Sequence, residues 1–397
     1  MLYNKPKRLG LYFHIPFCLS KCAYCDFFSF VPTNEELITR YINALITHME
    51  EYENAAEDYT VDSVFIGGGT PTCVPTEELV RLIRAMKKNF NISKNAEFTI
   101  ESNPATVDMH SLKKLRRCGI NRISIGLQTG DNNELRALSR IHTRAQFEQS
   151  YRIAREAGFT NINVDLMFGI PGQTKESLMR NLRYLIRLNP EHISLYNLKI
   201  ELGTPFDLHR AELALPNEDE EADMYLAAVE YLNVQGYPQY EISNFAKNGW
   251  RRCRHNLKYW HCEEYLGFGP SAHSYFSNCR FSFVRDLDAY LNAIELPSSR
   301  IKLTAQCDEI SPRERIGEYI MLHLRLNSGV RLSEFSREFG QDFELMYGRK
   351  MQRYIDAGFA VRRGDSIALT PSGMFVSNYI LSDILDFADL GGEIFKG

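Results

Sequence analysis

Short apolar, β-branched runs alternate with amphipathic stretches through the first half of the chain, and this rhythm constrains the fold more than any other feature. Strand candidates lie at 10–15, 62–66, 96–101, 122–126, 162–168 and 192–198. Between them, apolar residues at helical spacing predict helices at 34–53, 76–89, 108–118, 144–157 and 175–188. The caps agree. Thr33 or Asn34, Thr76 and Thr174 stand where helices should start, and Gly119 and Gly158 where they should stop. Strand–helix–strand units give parallel pairs with right-handed crossovers. Six of them predict an α/β fold with a parallel sheet, too few for a closed eight-stranded barrel. The expected form is an open, partial (β/α)6 barrel over residues 1–235.

Residues 236–300 are aromatic and glycine-rich without clean periodicity, and read as an irregular segment capping the barrel mouth. Beyond 301 the character changes. Helix candidates at 312–324, 333–339 and 343–357 precede a hairpin at 359–369, turning at Gly364–Asp365, and a last helix at 371–385. Residues 301–397 therefore read as a smaller helical, winged-helix-like domain. Such modules often bind DNA, but here acidic residues outnumber basic ones, so a docking or lid role is expected.

The whole chain of 397 residues carries a net charge of −4, which argues against a nucleic-acid partner. No run approaches the ~18 apolar residues of a membrane span. The 9 cysteines are odd in number and scattered, and no export signal precedes them. A disulfide framework is thus disfavoured and a cytoplasmic location expected.

Polar motifs follow the strands: GGGTPT at 67–72, ESNP at 101–104, IGLQ at 125–128 and NVDLMFGIPGQ at 163–173. Ligand sites in parallel α/β folds lie at the carboxyl ends of strands, so these motifs point into one cavity. GGGTP lacks the lysine and hydroxyl pair of a phosphate loop. Taken alone it reads better as a tight turn into the helix that begins near Thr76.

The first strand runs into Cys18, Cys22 and Cys25, spaced CxxxCxxC. Three thiolates in one loop can hold three irons of a 4Fe–4S cubane, whose full protein ligation needs four cysteines. With no fourth cysteine close by, one iron stays open to a ligand. Zinc is the alternative, with His14 completing a Cys3His set, although His14 falls within the strand. Around the cavity, Glu101 could accept from an ammonium and Arg140 could grip a carboxylate with two parallel hydrogen bonds. Asp165 and Gln128 could take ribose hydroxyls. An amino acid joined to a nucleoside fits that set, and a buried structural hydrogen bond fits each residue singly as well.

A CxxxCxxC loop after the first strand, then GGGTP and an open βα array, resembles the radical S-adenosylmethionine superfamily. The resemblance implies that the open iron chelates the methionine amine and carboxylate of S-adenosylmethionine, and that an electron from the cluster can cleave the sulfonium to a 5′-deoxyadenosyl radical. YFHIPFC, FIGGGTPT, RISIGLQ, LSRIH, DLMFGIPGQT, HISLYNLKIELGTPF, YEISNFA and HNLKYW match the coproporphyrinogen branch in order, over essentially the whole chain. Within it, oxygen-independent coproporphyrinogen III oxidases carry CxxxCxxCxC, and Phe27 stands here at the fourth cysteine. They also have a longer segment before the first strand. HNLKYW at 255–260 matches the HNxxYW motif of HemW-type heme chaperones.

The chain is thus identified as a member of the HemW-type group. That implies three cofactors: a 4Fe–4S cluster on Cys18, Cys22 and Cys25, S-adenosylmethionine, and heme. It also implies heme-acceptor proteins and an electron donor, neither identified. Coproporphyrinogen oxidase activity is not expected, and no catalytic residue is assigned. Tyr12 would lie beside the cluster, Gly69, Thr70, Glu101 and Arg140 around the methionine part, and Gln128 and Asp165 around the adenosine. His255 would be the heme ligand, with His273, Cys253 and Cys262 as other candidates. Relatives commonly have a Ser-Phe-like pair after the glutamine, where this chain has Thr129–Gly130, so the pocket wall there should differ. The rival activities are decarboxylation of coproporphyrinogen III and radical ring-opening of heme.

Overall fold

The computed structural model describes residues 7–385, apart from the side chains of Pro297, Arg300 and Ile301. Six parallel strands form its centre: β1 (Lys7–Ile15), β2 (Tyr59–Gly68), β3 (Ile92–Ser102), β4 (Arg122–Gln128), β5 (Ile162–Phe168) and β6 (His192–Asn197). The helices that return the chain are α1 (Glu35–Glu50), α2 (Thr76–Asn89), α3 (Met109–Arg117), α4 (Asn132–Ala137), α5 (Arg144–Glu156) and α6 (Lys175–Leu188). The short α4 had no sequence signal, because six residues give too little periodicity to read. Asn34 caps α1 through the Leu37 N–H, and Thr174 caps α6 with a reciprocal Ser177 box. Thr76 is not a cap; Pro75 precedes α2 and supplies no side-chain bond.

Alternation along the strands sorts the two faces. Val64, Ile66, Phe98, Ile100, Ile123, Ile125, Val164 and Leu166 turn to the helices and are nearly all inaccessible. They meet Leu79, Leu82, Ile83 and Met86 of α2 and their counterparts on the other helices. Each such side chain contributes about 1.5–3 kcal/mol by leaving water. The opposite face, inside the curve of the sheet, carries Tyr12, His14, Ser63, Glu97, Glu101, Arg122, Ser124, Asn163, Asp165, His192 and Ser194. A polar inner face on buried strands is what a ligand chamber requires.

The segment at 236–300 is not irregular. On the β6 edge it supplies β7 (Gln239–Glu241) and β8 (Asn244–Ala246), both antiparallel additions. On the β1 edge, β9 (Tyr265–Phe268) pairs parallel with β1, and β10 (His273–Phe276) and β11 (Cys279–Phe283) continue antiparallel to β12 (Thr304–Glu309). The result is one open 12-stranded sheet, ordered β12-β11-β10-β9-β1-β2-β3-β4-β5-β6-β8-β7. Strands of three to five residues are too short for a period of two to stand out, which is why the sequence hid them. The HNxxYW stretch forms a two-turn helix at Arg254–Trp260.

The C-terminal part has helices at Pro312–His323, Leu332–Phe339 and Phe343–Asp356, and a hairpin of Ala360–Arg363 with Ser366–Leu369. Val330–Arg331 adds a third strand to that hairpin. No helix among the described residues is long and apolar enough to cross a membrane.

Candidate functional site

The cysteine loop leaves β1 and returns at Phe30. Its base is closed by Cys18 N–H on the Phe30 carbonyl (2.9 Å), Phe30 N–H on the Pro16 carbonyl (2.8 Å), and the edge-on rings of Phe17 and Phe30. On its outer side, Phe206 donates its N–H to the Ala23 carbonyl and packs against Tyr24. Cys18 is buried; Cys22 and Cys25 are half-buried. Burial pushes the Cys18 and Cys25 thiols up, and neighbouring cysteines of the loop add to this. Such thiols ionise when a metal replaces the proton.

Gly69 makes the loop possible. A Cβ there would stand 2.6 Å from the Phe17 carbonyl oxygen and 3.0 Å from Cys18 Sγ. The Thr70 hydroxyl donates to Cys18 Sγ at 3.6 Å, and Arg140 Nη1 donates to Cys22 Sγ at 3.4 Å. Among the described residues no three His, Cys, Asp or Glu side chains converge on a single ion. A cubane spreads its cysteines over separate irons, so this three-thiol loop with donors aimed at its sulfurs fits the cluster. His14 does not join it. Its Nδ1 accepts from the Tyr12 hydroxyl at 3.0 Å and its Nε2 donates to the Phe28 carbonyl at 2.8 Å, while burial lowers its pKa to about 4. The Cys3His zinc set therefore lacks its fourth ligand.

Glu101 and Asp165 face each other across the inner surface. Glu101 accepts the Gly68 N–H at 3.0 Å. Burial, reinforced by the Asp165 charge, raises its carboxyl to about 8. Asp165 accepts from Ser124 Oγ (2.7 Å) and Asn163 Nδ2 (2.8 Å), bonds that partly offset an upward push from burial. Tyr196 shows 39% of its surface, yet burial also raises its phenol, the mark of a side chain in a recess walled by protein. Gln128 takes a positive φ of 66° at the end of β4. Arg140 is more engaged than the sequence implied, since its Nη2 is also held by the Gly126 carbonyl (3.1 Å) and by Asn103 Oδ1. Thr129 does not line the pocket. It is inaccessible and joins a buried knot in which Ser177, Asn181 and Gln173 also donate to Glu134.

His255, read from sequence as the heme ligand, lies buried against the middle of β2 and β3. Its Nδ1 meets the Ser63 hydroxyl at 3.0 Å and its Nε2 the Tyr259 hydroxyl at 2.7 Å; it is 1% exposed. Burial, with Lys258 and Arg122 nearby, lowers it to about 3. In this arrangement neither nitrogen is open to iron. Glu97 receives the His255 N–H and the Cys253 thiol, so Cys253 is also spent inside the floor. His273 differs. Register places it on the inner face with Tyr12, through Tyr12 opposite Gly267 and Tyr275 opposite Tyr265. It is exposed, burial lowers its pKa, and no hydrogen bond to its ring is found among the described residues. Cys262 is half-buried, with its thiol pushed up to about 12 by burial.

Sequence reasoning missed a polar ladder below Asp165. Asn163 Oδ1 bonds His192 Nδ1 (2.6 Å), His192 Nε2 bonds the Tyr240 hydroxyl (2.8 Å), and that hydroxyl accepts the Cys253 N–H (3.1 Å). It ties the inner face beside Asp165 to the helix at Arg254–Trp260. Its signal was present: Asn163, Asp165, His192 and Ser194 occupy alternate, polar positions in otherwise apolar strands.

The radical SAM superfamily model matches residues 12–185, and the HemN C-terminal domain model matches 310–376. Heme chaperone HemW of Bacillus subtilis is 34% identical over 94% of this chain and 98% of that protein. Heme chaperone HemW of Lactococcus lactis is 34% identical over 97% and 98%. The chain belongs to the HemW family of radical SAM proteins. HemW of Escherichia coli matches more locally, 37% identical over 67% of this chain and 69% of that one. In structure, coproporphyrinogen III oxidase (HemN) from Escherichia coli superposes with a TM-score of 0.83 at 23% identity, covering 97% and 92% of the two chains. HemW and HemN therefore share this fold, and membership implies the 4Fe–4S cluster and S-adenosylmethionine.

Proposed function

We propose that this chain is a heme chaperone: it binds heme beside a 4Fe–4S cluster and S-adenosylmethionine, and passes the heme to acceptor proteins. The observation that carries this is similarity to bacterial heme chaperones along nearly the whole chain. Phe27 supports it against the oxidase alternative, standing 68% exposed where the oxidases have a cysteine. Cys18, Cys22 and Cys25 hold the cluster, which supplies one electron when bound. Glu101, Gly69 and Thr70 receive the methionine end of S-adenosylmethionine with Arg140 and Tyr12 alongside; Gln128 and Asp165 receive the nucleoside end. Heme mixed with an apo heme protein is expected to reach it faster through the loaded chaperone than from free solution. Absorption spectra follow the transfer, and retention of all heme by the chain would contradict this reading.

His273 is the better-supported axial ligand, as an exposed imidazole that shares the inner face with Tyr12 and whose pKa burial lowers. His273→Ala is expected to change the Soret band and weaken heme binding about tenfold or more, ~1.4 kcal/mol. His255→Ala should leave the Soret band in place. An altered band in His255→Ala alone would return the ligand to the HNxxYW helix.

Glu101 gives S-adenosylmethionine binding a pH dependence. A carboxyl raised to about 8 is mostly protonated at neutral pH. It must lose that proton to pair with the ligand's ammonium. Affinity should then rise about tenfold per pH unit below 8, with a proton released on binding. Glu101→Gln should flatten the profile. Calorimetry in buffers of different ionisation enthalpy reads the proton directly, and no release by the wild-type chain would refute the pairing.

A further inference from the structure

Three side chains that are not cluster ligands, Thr70, Asn103 and Arg140, form a continuous arc between two that are. Asn103 stands at its middle, just beyond β3. Its Nδ2 donates to Thr70 Oγ1 at 2.7 Å, and its Oδ1 accepts from Arg140 Nη2. Thr70 then reaches Cys18 Sγ at 3.6 Å and Arg140 reaches Cys22 Sγ at 3.4 Å. Gly126 leaves the room in which the arc closes: a Cβ there would stand 3.0 Å from Asn103 Oδ1, 2.9 Å from Gln128 Nε2 and 3.4 Å from Arg140 Nη2.

The donor directions are forced. A guanidinium has no acceptor, so the amide oxygen of Asn103 must face Arg140 and its nitrogen must face Thr70. The Thr70 oxygen is then occupied as an acceptor, which leaves its proton for Cys18. The backbone holds Asn103 in place, since its carbonyl accepts the Thr106 hydroxyl at 2.6 Å and the Thr106 N–H at 3.2 Å.

We propose that Asn103 is a positioning residue that aims Thr70 and Arg140 at the sulfurs of Cys18 and Cys22 and so sets the reduction potential of the cluster. Asn103 touches neither sulfur and acts through its two neighbours. Hydrogen bonds to cluster sulfurs favour the reduced, more negative state and raise the potential. This rests on the cluster reading of the three cysteines.

The test is a potentiometric titration of the anaerobically reconstituted full chain, followed by electron paramagnetic resonance. Wild type, Asn103→Ala, Thr70→Val, Thr70→Ser and the Asn103→Ala/Thr70→Val double variant are compared. Asn103→Ala should lower the potential with iron content unchanged. Thr70→Val should lower it less, and Thr70→Ser, which keeps the hydroxyl, should stay near wild type. In the Asn103→Ala background, Thr70→Val should add little, because the hydroxyl has already lost its aim. If Asn103→Ala holds too little iron, Asn103→Ser is titrated in its place by the same criterion. An unmoved potential in the Asn103 variant, or full additivity with Thr70→Val, overturns the proposal alone. A wild-type chain with no titratable cluster overturns the cluster reading and this proposal together.

Discussion

Alanine at Cys18, Cys22 or Cys25 is expected to abolish the cluster. Reconstituted wild-type protein should carry about four irons per chain with 4Fe–4S absorption, and each variant should lose it. With only three thiols in the loop, no spare ligand can replace one that is removed. Cys73→Ala and Cys118→Ala should keep full iron, because both lie outside the loop, after β2 and α3. Iron and sulfide analysis reads the result. A stable cluster surviving all three loop substitutions would remove the basis for the site.

Lys258→Met is expected to destabilise the fold by about 3 kcal/mol, measured by denaturant unfolding of the apo chain. Lys258 sits within the HNxxYW stretch at 2% exposure, its Nζ 2.8 Å from both Asp62 and Glu263. It pins the short helix against β2. Removing one partner of a buried ionic group leaves the other charges uncompensated, which typically costs about 3–5 kcal/mol. Glu263 is 45% exposed and recovers water, which places the expected loss at the lower end. A loss below about 1 kcal/mol would mean that the helix is held by its apolar contacts alone. The same logic gives the HNLKYW stretch a structural role: its His and Lys side chains are tied to Ser63 and Asp62, and its His and Tyr to each other.

The central sheet was legible because its six parallel strands have six or more residues, are apolar toward the helices and are separated by amphipathic helices, most of them capped. The cysteine loop was legible because its spacing has few physical explanations. The flanking strands β7 to β11 were not, since runs of three to five residues carry no usable period and are formed by pairing with distant partners. The surroundings of His255 were not legible for a related reason. Sequence proximity of His, Tyr and Trp says nothing about which end of a chamber they face, and only the Ser63 and Tyr259 contacts show that the ring is spent. His273 was legible as a candidate but not as the accessible one, because that depends on β10 pairing with β9. Asn103 was visible within ESNP, yet its position between Thr70 and Arg140 required β2, β3 and the segment after β4 to come together.

A heme chaperone on a radical SAM scaffold should bind heme without decarboxylating coproporphyrinogen III. The most direct measurement is a single anaerobic preparation, reconstituted with iron and sulfide, titrated with heme and then assayed with coproporphyrinogen III, S-adenosylmethionine and a reductant. The expected result is saturable heme binding with the cluster retained and no protoporphyrinogen IX formed. Robust decarboxylation of coproporphyrinogen III, or a cluster-loaded chain that does not bind heme, would contradict it.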